Sequence, residues 1–329
     1  MCRLSGYHIP AKTKAKSQEA KNNLVDLVLS QQLGGYDATG LGFIGKGGKF
    51  FVCKDAKPAT EFMTSPQVAE VLSKHDPRCI IAHCRAQTLG DKNNNQNNHP
   101  HFTKSGILTI HNGMITNHAE LFTKHGLTRD AEVDSEIIGK LIEYYIPFCK
   151  DTTEAIQRAI KEIRGSIAMA LVLSTEPDTL YLIRRENDLS IALDRDSGII
   201  YFATEAEALS EVLQKHETYM GFFQRVKNPG KILIHEIPEG IGVKITKNII
   251  TRFEVETPPW LPYQANSKTW CTEDQCWFDD PKCKHSKAQV SAMSPKKQEN
   301  KLELWGSGIN PDFSIVNRII KPSRSTTAE

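Results

Sequence analysis

The sequence carries almost no excess of charge: its 329 residues contain 41 Lys and Arg against 39 Asp and Glu. Proteins that bind nucleic acid or an anionic membrane surface through charge usually show a basic excess, so this balance favours neither partner. No apolar run reaches the roughly 20 residues that a bilayer-spanning helix needs. The first residues, Met1 to Gly6, also lack the apolar stretch of a secretory signal. We therefore expect no nucleic-acid partner and no membrane partner.

Cysteine is also sparse, with eight residues spread along the chain. Small secreted domains that depend on disulfides hold cysteine at a much higher density, so the sequence predicts a reducing, cytoplasmic location. Hydrophobic residues, in contrast, make up 39% of the chain and charged residues 24%. That composition supports a substantial buried core and argues against global disorder.

Paired strand patterns and helical patterns alternate as far as about residue 255, which predicts a layered α+β domain. The patterns favour strands over residues 2–9, 41–44, 50–53, 79–83, 107–111, 167–173, 179–183, 190–193, 199–203 and 231–236. Helices are expected over residues 17–33, 134–145, 152–163 and 205–214. Asn112 and Gly113 form a common turn pair, so we expect them to close the strand before them. Periodicity weakens after residue 257, which predicts a domain over 1–257 and an irregular tail over 258–329.

Two features of the tail invite a functional interpretation. Four potential zinc ligands fall within 15 residues, although their spacing is not the standard CxxC pair: Cys271, Cys276, Cys283 and His285. Apolar residues near the end of the chain, Phe313, Val316, Ile319 and Ile320, fall at helical spacing. They predict either a helix that docks on a partner or one that packs on its own domain.

Five asparagines lie in the polar stretch from Asp91 to Asn98. Asparagine favours turns and loops, so we expect this stretch to be a solvated, mobile loop.

The second residue, Cys2, is the first candidate for chemistry. Removal of the initiator Met1 is usual before a residue as small as cysteine and would leave Cys2 at the amino terminus. Its free α-amine, with an ordinary pKa of about 7.7–8.0, could then act as the general base for its own thiol. The alternative is that Cys2 is only a residue near the start of a strand.

Five short motifs follow Cys2 in a fixed order: GGYDATG at 34–40, HCRAQTLG at 83–90, NHPH at 98–101, HNGMITNH at 111–118 and DSE at 134–136. Each motif alone is common, but the ordered set resembles the glutaminase domain of the class II glutamine amidotransferases. The pattern is most similar to the branch found in glucosamine-6-phosphate synthase, and it covers about residues 2–255. This resemblance implies a four-layer α/β/β/α N-terminal-nucleophile hydrolase fold.

The resemblance also implies a role for each matching residue. The thiolate of Cys2 would attack the side-chain amide of glutamine and form a thioester. The side chain of Asn112 and the backbone N–H of Gly113 would stabilise the oxyanion. The Arg85 guanidinium would grip the α-carboxylate of glutamine through two hydrogen bonds, and Asp134 would pair with the α-ammonium group.

Thr88 and His99 occupy matching pocket positions, and the resemblance implies that they help to bind the substrate. Gly34 replaces an arginine of the family pattern, and Ala86 replaces an aromatic residue whose loop helps to close the site and gate ammonia. A metal site is the competing interpretation for five histidines within 36 residues, but none of them shows a compact ligand spacing. We therefore expect no metal and no other cofactor at His83, His99, His101, His111 and His118.

The chain is thus predicted to be a glutaminase that releases glutamate and supplies ammonia to a separate synthetase, because no acceptor motif follows residue 255. A stand-alone hydrolase of another γ-glutamyl amide remains open. So does a protein of a different class, a catalytically silent scaffold that keeps the fold for binding.

Overall fold

The computed structural model describes residues 2–10, 17–214, 231–246 and 249–256, together with two short strands, Trp270–Cys271 and Cys276–Trp277. Contacts between Cα atoms divide the chain into two units, residues 1–257 and 258–329. The domain and tail boundary that we expect from composition stays a prediction.

The first sheet has seven strands in the order β11-β9-β10-β1-β4-β2-β3. Its pairings are all antiparallel, and the strand Cys79–Arg85, which ends in the first three residues of the motif HCRAQTLG, lies between β1 and β2. The strands are β1 (Arg3–His8), β2 (Ala38–Ile44), β3 (Phe50–Asp55), β4 (Cys79–Arg85), β9 (Ser190–Asp194), β10 (Ile200–Ala203) and β11 (Ile232–Glu236).

The second sheet has six strands in the order β13-β12-β8-β7-β6-β5, also antiparallel throughout. The strands are β5 (His101–Phe102), β6 (Ile107–Ile115), β7 (Gly165–Leu173), β8 (Glu176–Arg185), β12 (Ile241–Ile245) and β13 (Ile250–Glu254). The two strands in the tail, β14 (Trp270–Cys271) and β15 (Cys276–Trp277), pair only with each other.

Helices cover the outer face of each sheet. Buried residues of α1 (Ser17–Ser30), α2 (Ala59–Met63), α3 (Pro66–Lys74) and α7 (Ala206–Leu213) form one core with the first sheet. Those of α4 (His118–Lys124), α5 (Glu136–Tyr145) and α6 (Thr152–Glu162) form a second core with the second sheet. None of the helices within the described ranges is long and apolar enough to cross a membrane.

The inner faces of the two sheets meet directly, and glycine makes the approach possible. A Cβ atom on Gly42 of β2 would lie 2.8 Å from a side-chain carbon of Leu108 on β6, and one on Gly40 would lie 2.1 Å from the carbonyl oxygen of His99. Such distances leave no room for a side chain. The order of helices, sheet, sheet and helices confirms the α+β, four-layer α/β/β/α architecture.

Strand β6 runs further than the sequence predicts. The Asn112–Gly113 pair does not end it: β6 runs on to Ile115, and both residues stay in antiparallel register with β7. Gly113 has φ 151°, and a Cβ there would lie 2.0 Å from the carbonyl oxygen of Ser166. The pair is therefore a glycine-dependent irregularity inside a strand, and the expected turn was wrong.

Candidate active site

The residues singled out by the motifs gather where strands of both sheets end. Arg3 at the start of β1 pairs with Cys84, and Ala38 at the start of β2 pairs with Arg85 at the end of β4. This register puts Cys2 beside the residues that follow β4. The backbone N–H of Ala86 donates a hydrogen bond to Cys2 Sγ over 3.3 Å.

The thiol of Cys2 is half-buried, and its neighbours act on its pKa in both directions. Burial raises the pKa of the Cys2 thiol above its ordinary value, and the charge of Asp134 raises it too. The hydrogen bond from Ala86 and the charge of Arg85 act in the opposite direction and lower it. The charges of Arg85 and Asp134 therefore act on the thiol in opposite directions.

Arg85 is buried, and its guanidinium is held by its own chain. Nη1 donates to Oδ1 of Asn98 over 2.7 Å, and Nη2 donates to the carbonyl oxygen of Gly90 over 2.9 Å and to that of Leu89. A guanidinium has five N–H donors. Three of these donors are bonded to the chain itself, which fixes the orientation of the group.

The asparagine-rich stretch supplies part of that support. Asn93, Asn94 and Asn95 are exposed, as expected of a solvated loop, but Asn97 and Asn98 are fully buried. The Asn97 amide group exchanges hydrogen bonds with the side chain and backbone of Glu132, and the Asn98 amide donates to the carbonyl of Lys92. Their partners lie up to 35 residues away in sequence, so local composition gave no sign of them.

The side chain of Asn112 points into the space between the sheets. On β6, Ile107 and Ile115 belong to the outer core, and alternation along the strand turns Asn112 to the opposite face. The amide nitrogen Nδ2 of Asn112 is buried and has no hydrogen-bond partner in the described structure. A buried donor without a partner costs about 1–3 kcal/mol of stability. A protein that bears this cost commonly keeps the donor for a ligand.

Asp134 lies just before α5 and is buried. Its Oδ2 accepts a hydrogen bond from the backbone N–H of Ile115 over 2.6 Å, which ties it to the end of β6. The next residue, Ser135, contacts the ring of His111 at 2.8 Å. Asp134 therefore brings a negative charge to the end of the strand that carries Asn112.

The two remaining pocket residues differ in exposure. Thr88 is exposed on the loop after Arg85. His99 is buried between His83 and His101, with ring centroids 4.0 Å and 4.4 Å apart, and neither of its ring nitrogens has a partner in the described structure. Burial lowers the pKa of His99 well below its ordinary value, so the ring is neutral at pH 7.

Lys54 is a residue of this region that the sequence did not single out. Its Nζ donates to the carbonyl oxygens of Asn98 and Pro100 over 2.6 Å and 3.0 Å, on either side of His99. Burial and the charge of Arg85 lower the pKa of Lys54 to about 8. A lysine on a strand gives no sequence signal that its side chain holds the backbone on either side of His99.

Within the residues that the structure describes, no group of three or more His, Cys, Asp or Glu is placed to hold a metal ion. In the tail, the backbone of Cys271 pairs with that of Cys276. The other zinc candidates and the predicted docking helix lie outside the described residues, namely Cys283, His285, Phe313, Val316, Ile319 and Ile320.

Comparison with known proteins finds glutamine amidotransferases. A family model described as a glutamine amidotransferase domain matches residues 83–211. The glutamine–fructose-6-phosphate aminotransferase of Thermococcus kodakarensis is 35% identical over 139 residues, which are 41% of this chain and 23% of that protein. The enzyme of the same name from Pseudomonas putida is 30% identical over 187 residues, 55% of this chain and 29% of that protein.

A solved structure shares the fold. The glutamine phosphoribosylpyrophosphate amidotransferase of Bacillus subtilis superimposes with a TM-score of 0.60 at 17% identity, covering 78% of this chain and 50% of that one. The matched part of this chain spans only 23% and 29% of the two curated relatives named above. The family model and the curated relatives show that the chain contains a glutamine amidotransferase domain over residues 83–211, and the motif order and the four-layer architecture are those of the class II, N-terminal-nucleophile branch.

Proposed function

We propose that this chain hydrolyses the side-chain amide of glutamine through a thioester on Cys2. The observation that carries the proposal is the grouping of one thiol, one preset guanidinium and one buried, unpartnered amide donor at the same ends of the two sheets. The geometry matches the requirements of amide hydrolysis, which needs a nucleophile, a grip on the substrate and a stabilised oxyanion.

Removal of Met1 would give Cys2 a free α-amine, which takes the proton of the thiol. The thiolate then attacks the amide carbon of glutamine, and the carbonyl oxygen becomes an oxyanion. Asn112 Nδ2 and the backbone N–H of Gly113 would donate hydrogen bonds to that oxygen. When the intermediate collapses, the C–N bond breaks, and the protonated amine returns its proton to the leaving nitrogen as ammonia departs. Water then cleaves the C–S bond, which releases glutamate and restores the thiol.

Recognition of glutamine would rest on Arg85 and Asp134, which offer opposite charges. The positive charge of Arg85 suits the α-carboxylate, and Asp134 suits the α-ammonium group. Thr88 and His99 would complete the pocket, one on the exposed loop and one within the buried histidine cluster.

Arg85→Lys tests this assignment, because a lysine ammonium cannot reproduce the guanidinium fork. We expect the KM for glutamine to rise about 10- to 100-fold, the effect of losing one or two charge-assisted hydrogen bonds. The measurement is glutamate formation over a full glutamine titration, with the exposed Arg158→Lys as the matched control. Unchanged kinetics in Arg85→Lys would show that the substrate binds elsewhere.

We also propose that the ammonia passes to a synthetase in a separate polypeptide, and that the domain works in the cytoplasm. The support is chemical: ammonia is largely protonated in neutral water and then is no nucleophile, so transfer benefits from a path shielded from solvent. The relatives are named as aminotransferases that combine glutamine with a sugar phosphate, and their further length leaves room for an acceptor module.

This coupling predicts slow basal hydrolysis that accelerates when the acceptor protein and its substrate are added to the chain. Glutamate release measured with and without a co-purified partner would reveal the acceleration. High turnover by the isolated chain that no partner changes would contradict the proposal. A strong preference for a larger γ-glutamyl amide would instead support a stand-alone hydrolase.

A further inference from the structure

The side chain of Asn187 donates a hydrogen bond to the peptide unit that joins Asn112 to Gly113. Nδ2 of Asn187 donates a hydrogen bond to the backbone carbonyl oxygen of Asn112 over 2.9 Å. That carbonyl belongs to the same planar peptide group as the N–H of Gly113. A bond on one end of the group therefore acts on the donor at its other end.

Asn187 is held firmly enough to fix that peptide. It lies in the turn between β8 and β9, directly after Glu186, whose φ of 74° is the one positive value of a non-glycine residue in the described chain. The backbone N–H of Glu186 donates to both carboxylate oxygens of Glu239, at 2.9 Å and 2.8 Å. The Nε of Arg184 donates to the carbonyl oxygen of Asn187 over 3.2 Å. These hydrogen bonds hold the turn together, and such support is needed to keep Glu186 in its strained backbone conformation.

Gly113 has no side chain, so its backbone orientation depends on its pairing with β7 and on contacts to the adjoining peptide groups. It is exposed and adopts a conformation that other residues rarely take. An accepted hydrogen bond at a carbonyl polarises the amide and makes the N–H at its far end a stronger donor. The contact from Asn187 thus gives the Gly113 N–H both direction and strength.

We propose that Asn187 is a positioning residue for the oxyanion hole, acting through the Asn112–Gly113 peptide; this inference rests on the proposed glutaminase function. Asn187 touches no substrate atom in this assignment. An aspartate of the same shape could not replace it, because a carboxylate has no proton to donate to the carbonyl.

The hydrogen bond itself can be observed without an activity assay. The dipeptide Asn–Gly occurs once in the chain, at residues 112 and 113. Labelling asparagine carbonyls with ¹³C and glycine nitrogens with ¹⁵N therefore gives a single carbonyl–amide correlation in the full-length protein. In Asn187→Ala, we expect the Asn112 carbonyl resonance to move upfield while the other glycine amide resonances keep their positions.

The kinetic expectation is a fall in kcat with little change in KM. We expect about a 5-fold loss in Asn187→Ala, because one neutral hydrogen bond contributes about 1 kcal/mol, and a larger loss in Asn187→Asp. The matched control is Asp188→Ala, which removes the 3.1 Å contact of Arg184 with the same turn but leaves the Asn112 carbonyl untouched. Its kcat and its Asn112 carbonyl resonance should equal those of the wild type.

Three results would overturn the inference. They are an unmoved Asn112 resonance in Asn187→Ala, a kcat equal to that of the wild type in both Asn187 variants, or an equal loss in Asp188→Ala. Failure of the proposed function would give a result distinct from these three, because the wild-type chain itself would release no glutamate. The positioning role of Asn187 would then also be wrong.

Discussion

Replacing Cys2 with alanine is expected to abolish glutamate formation, with a loss of about 10⁴-fold or more, as for other catalytic nucleophiles. The reason is that the reaction has no path to the thioester once the sulfur is gone. The rest of the site should stay in place, since Cys2 contacts its surroundings mainly through the backbone of Ala86. Steady-state kinetics and thermal unfolding of the variant, measured side by side, separate loss of chemistry from loss of fold.

Cys149→Ala is the matched control for this result. Cys149 is also a free, partly exposed cysteine, and it lies after α5 and away from the motif residues. Its replacement should leave the activity unchanged. Substantial glutamate release by Cys2→Ala, or loss of activity in Cys149→Ala, would contradict the assignment of the nucleophile.

Asn112→Ala should have the second largest effect, a fall in kcat of about 10²–10³ with a nearly constant KM, because one donor to the oxyanion disappears. The stability cost should be small, since the Nδ2 group that is removed has no partner in the described structure. The measurements are a glutamine titration and a melting temperature for the same sample.

Asn93→Ala serves as a control on an exposed asparagine whose hydrogen bonds stay within its own loop. A rise in KM with unchanged kcat in Asn112→Ala would place Asn112 in substrate binding and remove it from the oxyanion hole. A large drop in melting temperature would make its role structural.

Much of the fold could be predicted because the hydrophobic pattern is regular. Helix α6 was expected over 152–163 and spans Thr152–Glu162, and β7 was expected over 167–173 and spans Gly165–Leu173. The short helix α3 was missed, although Ser65 and Pro66 are a standard helix start.

The site could be predicted as a set of residues but not as a set of contacts. The motifs named Arg85 and Asn112 because each carries a recognisable pattern. Nothing in the sequence indicated that Asn98 orients the guanidinium or that Asn187 contacts the oxyanion peptide, since those partners lie 13 and 75 residues away. Turn chemistry also misled at Asn112–Gly113, where pairing with β7 overrides the local preference for a hairpin.

The most direct test of the account is mass spectrometry of the chain after treatment with an electrophilic analogue of glutamine. The account predicts one covalent adduct, on the first peptide of a chain that has lost Met1, with the label on Cys2. It also predicts that the adduct is absent from Cys2→Ala. A label on Cys53 or Cys84, or full activity in protein that retains Met1, would contradict the N-terminal-nucleophile mechanism.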